Sequence, residues 1–185
     1  ILITDSKLYD WKIEFINNND LPLIGNLTKV DNLPGCLTII DTVIKNLQIK
    51  TYNLKCEDSV NFVRSNGLVN KTLIEKSFRD GIDADFSNIS FKEIQIINAK
   101  NDCIDFSYGN YSIINSDFSN CGDKGVSSGE NSELDINQLN IGDAAIGIAS
   151  KDGSQVKAVN INIYDTSVCF SAYNKKQEFN GSYIY

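Results

Sequence analysis

Histidine and methionine are absent from this 185-residue chain, proline occurs twice and tryptophan once. Without histidine there is no Ser-His-Asp or Cys-His catalysis and no histidine-ligated zinc site, and the commonest acid/base side chain near neutrality is missing. Long apolar runs are missing too: none approaches the ~18 residues that cross a bilayer, and the N-terminal ILITDSKLYD lacks the basic and apolar regions of a signal peptide. With no methionine even at position 1, the expectation is a processed or excised piece of a longer protein, for which the missing signal peptide says nothing about location. Positive charge is scarce as well. Seventeen Lys and Arg face 24 Asp and Glu, a net charge of −7. Nucleic-acid backbones are excluded as partners, because phosphate neutralisation needs clustered cations. The five cysteines, with no CxxC spacing, are read as small buried hydrophobes rather than a disulfide framework.

What is present is a repeat in a chain whose length and 42% hydrophobic content fit one soluble domain. NDCIDF (Asn101 to Phe106) has counterparts in EDSVNF, DGIDA, DKGVSS, DAAIGI and DTSVCF. Their central aliphatics are Val60, Ile82, Ile104, Val126, Ile146 and Val168, spaced by 22, 22, 22, 20 and 22 residues. Two positions on stand Phe62, Ala84, Phe106, Ser128, Ile148 and Phe170, with Ser128 the misfit. Between the anchors run bursts of period-2 alternation such as Leu134-x-Ile136 and Ile161-x-Ile163, the mark of short strands. A leucine-rich frame cannot be placed. The expectation is therefore all-β, a parallel β-helix of about seven to eight coils of about 22 residues, each stacking its inner face on the next.

Asn98, Asn120, Asn140 and Asn162 precede four successive anchors by six residues and read as an amide ladder of the fold. Residues 1–35 are taken as divergent first coils or a cap, with turns at Ile16–Asp20 and Asp31–Gly35, and 36–185 as regular coils of one domain. From Leu68 to Phe78 a short amphipathic helix and a strand fit equally well. The last coil is incomplete at Tyr185, so the rest of a larger chain, or a partner, is expected to pack there.

Equivalent outward positions line up along a solenoid. The position two before the anchor reads Asp58, Asp80, Asp102, Lys124, Ala144 and Thr166; the position after it reads Asn61, Asp83, Asp105, Ser127, Gly147 and Cys169. Asp80, Asp83, Asp102 and Asp105, flanked by Glu57, Asp58 and Asp85, are thus the candidate set for a hard cation such as Ca²⁺. Further along, Tyr108, Glu130, Lys151, Tyr173 and Lys175 are candidates for holding a polysaccharide, with tyrosines as stacking platforms. If the face is catalytic, Lys124 beside Asp102 is the candidate base, provided its pKa falls toward neutrality. The competing reading is that these charges are solvated corner residues.

The 22-residue coils and the asparagine column resemble the right-handed parallel β-helix of the pectate-lyase-like superfamily, specifically its short repeat modules in bacterial surface and exported proteins. Gly122 to Ser132, Ile146 to Ser154 and Ala172 to Phe179 look similar to segments of such modules. The resemblance implies a right-handed coil with three parallel sheets and a carbohydrate-directed role, either a non-catalytic scaffold or glycan-binding module or a Ca²⁺-dependent lyase acting on an acidic polysaccharide. The paired-aspartate motif of the superfamily's glycoside hydrolases is missing, as are long loops to wall a groove.

Overall fold

The computed structural model describes residues 1–18 and 34–185. Among them are fifteen strands and no helix: β1 Leu2–Thr4, β2 Lys7–Tyr9, β3 Lys12–Ile16, β4 Gly35–Ile40, β5 Val43–Tyr52, β6 Asp58–Val63, β7 Asn66–Ser77, β8 Asp80–Asp85, β9 Asn88–Lys92, β10 Ile94–Ala99, β11 Ile104–Ser107, β12 Asn110–Gly129, β13 Glu133–Lys151, β14 Gln155–Tyr173 and β15 Tyr183–Ile184. The segment that also fitted a helix is part of β7, where Val69, Thr72 and Ile74 point into the core and both edges are paired with parallel neighbours. The expected turns near Ile16–Asp20 and Asp31–Gly35 fall largely outside the described residues.

All pairings are parallel, and the chain winds into a β-solenoid with three faces. Sheet A stacks β1, β4, β6, β8, β11 and the ends of β12, β13 and β14. Sheet B contains β2, β9, β15 and the beginnings of β5, β7 and the three long strands. Sheet C contains β3, β10 and the remaining segments. There are about six turns of ~22 residues, fewer than the seven to eight expected.

Single residues with positive φ make the corners. Asp41, Arg64, Phe86, Tyr108, Glu130 and Asp152 lie between sheets A and B, and Asn53, Lys76, Asn98, Asn120, Asp143 and Asp165 close sheet C. Most such positions in the chain are Asn or Asp, whose short polar side chains tolerate the left-handed region. Inside, Phe62, Phe91, Phe106 and Tyr111 form an aromatic column with centroid separations of 5.7, 5.7 and 4.2 Å.

The register corrects two readings. Val126 pairs with Ile148 and Ile148 with Phe170, while Ile146 and Val168 continue the row of Lys124. A slip of two residues keeps the same side chains inward, so the alternation is blind to it. The second inward column accordingly runs Phe106, Ser128, Ser150, Ala172, so small residues follow Phe106, and the buried Ser128 hydroxyl meets no hydrogen-bond partner among the described residues. The asparagine ladder divides as well, because Cys121 pairs with Ala144 and so sets Asn120 opposite Asp143. Asn120 donates to Asn98, but Asn140 donates to Asp117 at 2.6 Å and pairs in register with Asn162. A second ladder, missed in the sequence although it keeps the 22-residue period, runs through Asn66, Asn88 and Asn110, with amide bonds of 2.9 and 2.8 Å.

The cysteine expectation is also corrected. Cys36–Cys56 and Cys103–Cys121 are disulfides spanning 20 and 18 residues, and only Cys169 is free. Each bridge closes a loop of about one coil, which places residues far apart in sequence side by side.

Candidate ligand-binding face

Sheet A carries the chemistry. Register aligns Asn61, Asp83, Asp105 and Ser127 in one outward row. Val63, Asp85, Ser107 and Gly129 form the next row, which continues at the same 22-residue spacing to Lys151 and Tyr173. At the other edge, Asp80 Oδ1 accepts the Asp102 N–H at 2.8 Å and Asp102 Oδ1 accepts the Lys124 N–H at 3.0 Å. Part of this acidic row is therefore fold chemistry, each carboxylate satisfying a backbone donor one coil further on.

The acidic groups crowd one another. Burial first, then the charges of Asp80, Glu57, Asp85 and Asp105, push Asp58 up to about 8. Burial, followed by Asp85, Asp58, Asp105 and Asp80, pushes Asp83 up to about 9. Both shifts favour the protonated form, and Asn61 Nδ2 donates to Asp83 Oδ2 at 3.0 Å. Burial and the charge of Asp105 raise Asp85 and Asp102 to about 6, and burial raises Asp80. Asp58 and Asn61 are only 2% and 1% exposed. Among the described residues Asp58 Oδ2, Asn61 Oδ1 and Asp105 Oδ1 meet no hydrogen-bond donor.

The four aspartates expected to hold a cation, Asp80, Asp83, Asp102 and Asp105, do share this face. Their oxygens suit a hard ion, but among the described residues no three carboxylates are arranged to hold a metal ion.

The lysines are drawn into the acidic rows. Lys124 Nζ contacts Asp123 and lies 3.4 Å from Asp102 Oδ1. Burial pulls its pKa down, but the Asp123 hydrogen bond and the charges of Asp102 and Asp123 outweigh this, so the net shift is upward, opposite to what base catalysis requires. Lys151 Nζ lies 3.7 Å from Asp105 Oδ1. Its stem passes over Gly129, where a Cβ would sit 3.2 Å from Lys151 Cε. Glu130 accepts from Ser107 and Lys176, which together overcome its burial and hold its pKa below the usual value. Tyr173 is half-buried beside Lys151, and Lys175 is exposed with its backbone N–H donated to Asp152 Oδ1 at 2.7 Å.

Tyr108 stands at the A–B corner, 40% exposed, and stacks on Phe86, 55% exposed, at 4.7 Å between centroids and 4° between planes. Phe179 lies 6.1 Å away on the Tyr108 side. Phe86 and Tyr108 have φ of 51° and 47°, a region that strains bulky side chains. Sequence reasoning missed Phe86, although it stands 22 residues before Tyr108. It also missed the bonds of Asn61 to Asp83 and Ser107 to Glu130, which depend on which coil lies above which.

No family model, curated protein or solved structure matches this chain; the parallel stacking of its strands makes it a β-solenoid.

Proposed function

We propose that the chain is a non-catalytic β-solenoid module of an exported or surface-displayed protein and that it binds a glycan along sheet A. The observation that carries this reading is the exposed Phe86–Tyr108 stack, held in a strained backbone conformation at the rim of a row of carboxyl groups. Aromatic surface suits the apolar faces of sugar rings, while the carboxyl groups of Asp83 and Asp105 offer polar partners for hydroxyls. Because Lys124, Lys151 and Lys176 already meet carboxylates, a neutral glycan fits this face better than an acidic one. The upward shift of Lys124 favours binding over lyase chemistry. The two disulfides support an oxidising compartment.

The test is affinity electrophoresis in gels containing neutral β-glucans or polygalacturonate, with a parallel assay for unsaturated sugar products. Retardation by a neutral glycan is expected, weakened about tenfold (~1.4 kcal/mol) by Tyr108→Asn, which keeps a corner-compatible residue. No retardation, or retardation that ignores Tyr108→Asn, rejects the reading. Release of unsaturated products identifies a lyase instead.

A further inference from the structure

A second feature lies away from the aromatic rim, at the corner where sheet C turns toward sheet A. There a cavity of ≈ 490 Å³ crosses four coils. Its walls are equivalent positions of successive turns, because Tyr52 pairs with Glu75, and Ala99 with both Ser77 and Cys121. Extending that register aligns Lys55, Phe78 and Lys100 in one row across three coils, with Lys76 two positions before Phe78.

The electrostatics run against those of the chain as a whole. Although the net charge is −7, no Asp or Glu is among the described residues lining the cavity. Acids that follow these rows in the chain are engaged elsewhere, Glu57 with Arg79 at 2.6 Å and Asp123 with Lys124. Among the described residues Lys55 and Lys100 form no ion pair: Lys55 Nζ donates to Asn53 Oδ1 at 2.6 Å, and Lys100 Nζ lies 5.4 Å from the Phe78 centroid. Lys76 Nζ donates to the Tyr52 hydroxyl at 2.8 Å. The Asn120-to-Asn98 bond occupies Asn98 Oδ1 and leaves the Asn98 amino group and Asn120 Oδ1 facing outward as a donor and an acceptor. Gly122 closes the far end. A Cβ there would come within 2.2 Å of the Lys100 carbonyl oxygen, so the cavity keeps a gap in its wall.

We propose that this cavity binds a sugar carrying a phosphate or sulfate ester. Lysine ammoniums act as point charges with rotatable donors and suit tetrahedral oxyanions, whereas planar carboxylates are better matched by an arginine fork, which the described lining lacks. Exposed Phe78 takes the sugar ring, and the Asn98 and Asn120 amides take hydroxyls. The volume is that of a small-ligand site.

The test is isothermal titration calorimetry of the full chain with glucose 6-phosphate, inorganic phosphate, glucose and dextran sulfate. Glucose 6-phosphate is expected to bind about tenfold more tightly than phosphate, to weaken with added salt, and to be lost when the charge is removed, as in glucose. Lys55→Gln and Lys100→Gln each weaken phosphate and glucose 6-phosphate about tenfold. Phe78→Leu weakens only glucose 6-phosphate, and Tyr108→Asn on the other site changes neither. Dextran sulfate displacing glucose 6-phosphate assigns the ester to a polymer; failure to displace it assigns a free sugar ester. No saturable binding of any anion, binding untouched by both lysine variants, or equal affinities for phosphate and glucose 6-phosphate overturns the proposal. Circular dichroism of these surface variants checks that the solenoid is intact.

Discussion

The hydroxyl of Tyr111 fills the space that a side chain at Gly109 would take. In the neighbouring coils the buried corner position is Thr42, Ser65, Ser87, Ser132 or Ser154, and the serine hydroxyls of Ser65, Ser87 and Ser154 accept the N–H of the coil before. At Gly109 there is no hydroxyl, and Tyr111 Oη accepts the Ser87 N–H at 3.2 Å while donating toward Ala84 O or Ser107 O, at 2.9 and 3.0 Å. A Cβ at Gly109 would lie 2.7 Å from Tyr111 Oη and 2.1 Å from the Ser87 carbonyl oxygen.

Gly109→Ala is therefore expected to destabilise the chain by about 1–3 kcal/mol, since both clashing groups are held in the core. Tyr111→Phe, which leaves the Ser87 N–H and two carbonyls without this partner, is expected to cost about 1–3 kcal/mol. Urea unfolding of each variant reads both values, and a cost below ~0.5 kcal/mol for Gly109→Ala would contradict the geometry.

Stability should fall as pH rises. Asp58 and Asp83 have folded-state values of about 8 and about 9, above the ~3.9 of an unfolded aspartate. Between those limits the folded chain holds protons the unfolded chain has released. Their contribution is fully present below about pH 4 and is lost through pH 8 to 9, with an upper bound of about 1.4 kcal/mol per pH unit per group. Glu130, shifted the other way, loses its contribution only as pH falls below the normal carboxylate range. Thermal melts from pH 5 to 9 should show a falling midpoint, flattened by Asp58→Asn with Asp83→Asn; an unchanged slope in the double variant would refute the assignment.

Lys124→Ala strips the buried Asp102 of its cation. A loss of about 3 kcal/mol is expected, partly recovered in Lys124→Met with Asp102→Asn, because two neutral groups are easier to bury than one unpaired charge. Glycan retardation should persist in the double variant, since Lys124 is engaged by Asp102 and Asp123 rather than free for a ligand. Denaturant unfolding and gel retardation separate the two effects.

Reduction should loosen the solenoid coil by coil. With loops of 20 and 18 residues, each disulfide is expected to contribute about 3 kcal/mol. Cys103→Ser with Cys121→Ser should lower the melting temperature and remove the remaining sensitivity to reductant except that due to Cys36–Cys56. Equal melting temperatures with and without reductant would count against both bridges.

Much of the fold was legible because a solenoid repeats its constraints. Val60, Ile82, Ile104 and Val126 are inward in structure as in sequence. The acid-to-lysine change from Asp102 to Lys124 falls between adjacent coils, and it has a structural reason: Lys124 neutralises the last carboxylate of the row. Beyond Val126 the reading slipped by two, because Ile146-x-Ile148 offers two aliphatics on the same face and only the ladder of backbone bonds chooses between them. The cysteines were misread for a related reason. The Cys36–Cys56 and Cys103–Cys121 spacings are near one coil, but neither reveals that the corner brings the two Cα atoms to 5.3 Å.

The sequence by itself determined the period, the strand alternation and the clustering of acids on one face, since these follow from side-chain identity at fixed intervals. Tertiary structure decided what each charge meets. Lys151 reaches Asp105 only because Gly129 leaves room for its stem, Phe86 meets Tyr108 only because a corner turns both outward, and Lys55 and Lys100 flank Phe78 only because three coils are stacked. Each is a relation between neighbouring turns, fixed by the backbone ladder at a resolution of one residue, finer than the two-residue periodicity of the side-chain pattern.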